Sequence, residues 1–108
     1  MIEKINENLN SAYENLDKIQ RIQEQVDILN KGLNSCIEIV DSSIKSNEIT
    51  EQLSQLGTDN EIIFKRTKNY INESYNDTKK KIYQLQEEKR ALEEEEEEKE
   101  KAENEEKK

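Results

Sequence analysis

Residues 2–44 read IEKINENLNSAYENLDKIQRIQEQVDILNKGLNSCIEIVDSSI, and the spacing within them decides the fold. Apolar side chains fall at Ile2, Ile5, Leu9, Ala12, Leu16, Ile19, Val26, Leu33, Ile37, Val40 and Ile44. With Gln23 and Asn30 filled in, every step along this series is three or four residues. That repeat places one apolar stripe along an α-helix, and its length marks a coiled coil. Ile22, Ile28 and Leu29 widen the stripe beside the two polar sites. A strict two-stranded seam is narrower, so the middle of this helix is expected to meet more than one neighbour.

Gln23 and Asn30 stand at successive a positions of the heptad. Two roles are open to them. Buried polar a residues fix register and partner number at some cost in stability. Alternatively, Ile22 and Leu29 carry the contact and the polar groups face water.

Beyond Ile44 the pattern decays through Ser42, Ser43, Ser46 and Asn47, all weak helix formers. Ile49, Leu53 and Leu56 restore a helical face. Gly57 then suits a left-handed position that ends a helix. Thr58 and Glu61 have the spacing of a capping box ahead of Ile62, Ile63 and Phe64. The expected organisation is therefore a first helix over 1–56, a turn at 57–60, a second helix over 61–92 and an acidic tail over 93–108. The second seam runs through Phe64, Lys68, Ile71, Tyr75, Thr78, Ile82, Leu85, Lys89 and Leu92, with Tyr70 and Tyr83 placed to cover it. The two helices can fold back as a hairpin or stay extended and pack on other chains, and the greater polarity of this seam favours the second arrangement. The residues expected to meet a partner helix are Ile5, Leu9, Leu16, Ile19, Val26, Leu33, Ile37, Val40 and Ile44 in the first seam. In the second they are Phe64, Ile71, Tyr75, Ile82 and Leu85.

Composition supports an all-α chain. Of 108 residues, 31% are hydrophobic and 40% charged, with no proline and only Gly32 and Gly57 as glycines. So little apolar surface cannot fill an ordinary globular core. The formal charge is −9, and residues 87–108, with 12 acids against 6 bases, carry −6 of it. The run Glu93 to Glu98 is expected to fray, helped only by i,i+4 pairs such as Glu95–Lys99, Glu97–Lys101 and Glu103–Lys107. An acidic chain repels phosphate backbones, so no nucleic-acid partner is expected.

Catalysis and cofactors are not expected either. There is no histidine, the commonest general base and metal ligand. The glutamates of the tail have nothing to bury them, so nothing shifts their pKa toward acid–base work. The lone Cys36 has no activating base and reads as a packing residue. Lys65, Arg66, Lys68, Lys79, Lys80 and Lys81 make a locally basic stretch, but Glu73 and Asp77 interrupt it. No apolar run is long enough for a secretory signal or a membrane span, so a cytoplasmic protein is expected.

The stretch Leu16-Asp17-Lys18-Ile19-Gln20-Arg21-Ile22-Gln23-Glu24-Gln25-Val26-Asp27-Ile28-Leu29 resembles the small coiled-coil subunits of the complex that builds lysosome-related organelles, and of its lysosome-positioning sister complex. The layout over residues 5–92 is most similar to the snapin-like subunits. The resemblance implies a non-enzymatic subunit of a hetero-oligomeric helical assembly in organelle biogenesis and vesicle traffic. Its partners would be other coiled-coil proteins, and it would reach endosomal or lysosomal membranes only through its complex. Homo-oligomers also fit the heptad. A kinetochore–microtubule subunit and a helical cochaperone are the competing classes, and neither carries a catalytic motif.

Overall fold

Helix α1 runs Ile2–Ser43 and helix α2 Asn47–Glu106 in the computed structural model, which describes residues 1–106. The fold is all-α and coiled-coil-like, with no strand among the described residues. α1 stops where its serines begin. Ser42 Oγ donates to the carbonyls of Glu38 at 2.8 Å and Ile39 at 3.1 Å. Such bonding back onto the preceding turn weakens the helix that carries it. The chain leaves α1 through Ile44-Lys45-Ser46. α2 opens where the Thr50 N–H donates to the Ser46 carbonyl at 2.9 Å, which puts serine at the favoured N-cap.

The turn expected at 57–60 is absent, and the break lies at 44–46 instead. Gly57 is helical, with no positive φ. The residues that looked like a cap are used inside the helix. Thr58 Oγ1 donates to the Ser54 carbonyl at 3.0 Å, and Gln55 Nε2 donates to Asp59 Oδ1 at 2.8 Å. A helical glycine costs about 1 kcal/mol relative to alanine, which neighbouring packing readily offsets. A Cβ at Gly57 would meet nothing within 4 Å. Gly57→Ala should therefore stabilise the protein by about 0.5–1 kcal/mol, visible as a higher Tm. A lower Tm would place Gly57 in a left-handed cap after all.

The acidic segment is also more ordered than expected, because α2 continues to Glu106. Glutamate and lysine are good helix formers even without an apolar face. Arg90 helps near its start. Its guanidinium donates to Glu87 at 2.9 Å and to Glu94 at 3.5 Å. The hydrogen bond to Glu87, then the charges of Glu87 and Glu94, hold the Arg90 pKa above its ordinary value. The pair Glu103–Lys107 lies outside the described residues.

Contacts divide the chain into two units, each an antiparallel pair of helical segments. The terminal unit joins Met1–Asp17 to the chain from Asn76 onward. Its core is Ile5, Leu9 and Ala12 from α1 with Ile82 and Leu85 from α2, and Leu16 and Leu92 pack against it. Gln86 Nε2 donates to Tyr13 Oη across this pair at 2.7 Å. The turn unit is Lys18–Tyr75 and contains the 44–46 connection. The expectation that the two helices stay apart is thus overturned. α2 is polar along much of its seam, but it meets α1 where α1 is polar too.

Candidate helix-binding edge

The turn unit shows how a polar seam closes. Gln23 Nε2 donates to Asn72 Oδ1 at 2.8 Å. Asn60 Nδ2 donates to Asn30 Oδ1 at 3.1 Å. Lys68 Nζ lies 2.8 Å from Asp27 Oδ1 and 5.0 Å from the centre of the Phe64 ring. Gln23 and Asn30 therefore both bond across from α1 to α2, Gln23 in an exposed contact and Asn30 in a half-buried one. The Lys68–Asp27 pair is partly exposed and contributes little energy on its own. Its position matters more, since it marks one edge of the hairpin as polar.

The opposite edge is apolar. Ile22 and Leu29 stand one position before the a sites Gln23 and Asn30, and Ile63 and Tyr70 stand beside Phe64 and Ile71 on α2. Ile22 and Tyr70 line one hollow with Ile19, Ile71 and Ser74. Leu29 and Ile63 line a groove of about 360 Å³ with Val26, Leu33, Phe64 and Thr67, and Asn30 and Asn60 lie along it. These edge residues are open to solvent: Ile22 is 49% exposed, Leu29 72%, Ile63 62% and Tyr70 74%. A hairpin with apolar side chains at a, d and one flanking position is built like part of a larger helical bundle. Contiguous exposed apolar surface of this kind marks an interaction site.

The other seam residues fall as follows. Ile5, Leu9, Ile71, Ile82 and Leu85 are buried. Leu16, Ile19, Val26, Ile37, Val40, Phe64 and Tyr75 are half-buried. Leu33 sits at the groove, and Ile44 is exposed beyond the end of α1. The helix that covers most of this seam is the chain's own. Tyr70 and Tyr83 do not cover it, since both stay largely exposed. Gly57, Asn60, Thr67 and Ser74 take half-buried positions that the apolar spacing of α2 did not single out. Their three- and four-residue steps from Leu53 to Thr78 were the signal that could have found them.

Among the described residues there is no group of three or more His, Cys, Asp or Glu placed to hold a metal. No described helix is long and apolar enough to cross a membrane. No protein-family model, curated protein or solved structure matches the chain.

Proposed function

We propose that this chain is a non-enzymatic coiled-coil subunit that binds other helices along the apolar edge of its turn unit. The observation that carries this reading is the row Ile22, Leu29, Ile63 and Tyr70, exposed beside a seam that is already closed. The proposal extends to a hetero-oligomeric assembly of the endosomal and lysosomal trafficking type. That extension rests on the pattern of Leu16–Leu29 alone, and the identity of captured partners tests it.

Leu29→Asp with Ile63→Asp is the informative variant, since both side chains already face solvent and the hairpin should tolerate them. Helical signal by circular dichroism should be unchanged. Affinity capture with the full chain should recover helical partners, and the variant should recover at least about tenfold less, because docking would bury two charges. An unchanged partner set would mean that helices bind elsewhere or not at all.

A further inference from the structure

α1 carries a second seam outside the hairpin. Ile22, Gln25, Leu29, Gly32, Cys36 and Ile39 follow one another at steps of three, four, three, four and three. All six are exposed, and none is charged. A Cβ at Gly32 would meet nothing within 4 Å, so the space above it is open.

We propose that a second copy of this chain docks on this strip, α1 antiparallel to α1, with Leu29 of each copy over Gly32 of the other. This rests on the helix-binding reading and names its partner. A two-fold interface must be self-complementary. The strip is so about the midpoint between Leu29 and Gly32. Antiparallel pairing there sets Leu29 against Gly32, Gln25 against Cys36 and Ile22 against Ile39. The largest side chain near the centre thus meets the smallest. Parallel pairing would instead stack glycine on glycine and leave a void, which forfeits dispersion contacts.

Charge does not oppose this occupant. The turn unit holds 9 acids and 7 bases, a net of −2 out of the −9 of the chain. Two such units meet without strong repulsion, and no like charges oppose one another along the strip. Ile22, Leu29 and Ile39 carry the exposed apolar surface of the strip itself, and Ile63 and Tyr70 of α2 stand beside it.

Sedimentation of the full chain at rising micromolar concentration, together with oxidation of Gln25→Cys, tests this. The wild type should dimerise without a disulfide. Its two Cys36 residues would be offset by eleven positions, about 16 Å along the helix, well beyond the ~7 Å limit between bridged Cα atoms. Gln25→Cys should trap a covalent dimer through Cys36, and adding Cys36→Ser should abolish it. Leu29→Asp should weaken dimerisation by at least about tenfold with helicity unchanged. A wild type that stays monomeric, or one that cross-links through Cys36 alone, overturns the proposal. A monomeric chain that still loses helical partners on Leu29→Asp and Ile63→Asp would leave the helix-binding function standing with a different partner.

Discussion

Leu9→Asp should unfold the terminal unit. Leu9 is buried in a cluster of only five residues, Ile5, Leu9, Ala12, Ile82 and Leu85. No side chain among the described residues is fully enclosed, so this core has little to spare. Truncating a buried leucine to alanine typically costs 2–5 kcal/mol, and a buried, unpaired carboxylate costs more. That is comparable with the whole stability of a small domain. Hydrogen exchange should show protection lost over residues 1–17 and 76–92. Leu9→Met, close in volume, should keep it. Full protection in Leu9→Asp would mean that Leu9 does not face α2. Leu16→Asp should act in the same way, though less strongly, since Leu16 lies at the margin of this core.

The second large effect belongs to the asparagine pair in the turn unit. Asn30→Leu alone removes the acceptor of the half-buried Asn60 amide and should destabilise by about 1 kcal/mol. Asn30→Leu together with Asn60→Leu should recover that loss and raise Tm above the wild type, because apolar side chains replace a half-buried polar contact. The gain should come with lost specificity, as happens when a polar a residue that sets register is removed. The double variant is expected to form mixed oligomers by sedimentation. A double variant less stable than either single one would show that the bond contributes packing that leucine cannot supply.

The seam of the first helix was legible, since apolar spacing from Ile2 to Ile44 exposes it directly, but the helix was expected to run to residue 56 and ends at Ser43. The second helix was not legible in that way. Its seam passes through Gly57, Asn60, Thr67, Ser74 and Thr78, residue types that ordinarily mark turns and surfaces. Gly57-Thr58-Asp59-Asn60 resembled a turn because each residue can serve a turn or a helix, and only tertiary contacts decide. Asn60 is held by Asn30, thirty residues away. Hairpin pairing was the less favoured arrangement for a related reason. A polar seam looks unfit for an apolar one until its register brings Gln23 to Asn72 and Asn30 to Asn60. Of the apolar edge, Ile22 and Leu29 were visible as a widened stripe. Ile63 and Tyr70 joined it only once α2 was placed beside α1.

Methyl-labelled NMR of the full chain shows whether the seam stays closed within the chain while the flanking edge binds helices. Spectra would be recorded as the chain is concentrated, and again with a captured partner. Shifts and line broadening should be confined to Ile22, Leu29, Ile39 and Ile63, with Ile5, Leu9, Ile82 and Leu85 unmoved. Changes at those four core residues would show that assembly opens the hairpin and uses the first seam for other chains. Spectra that change nowhere would show that the exposed edge binds no helix.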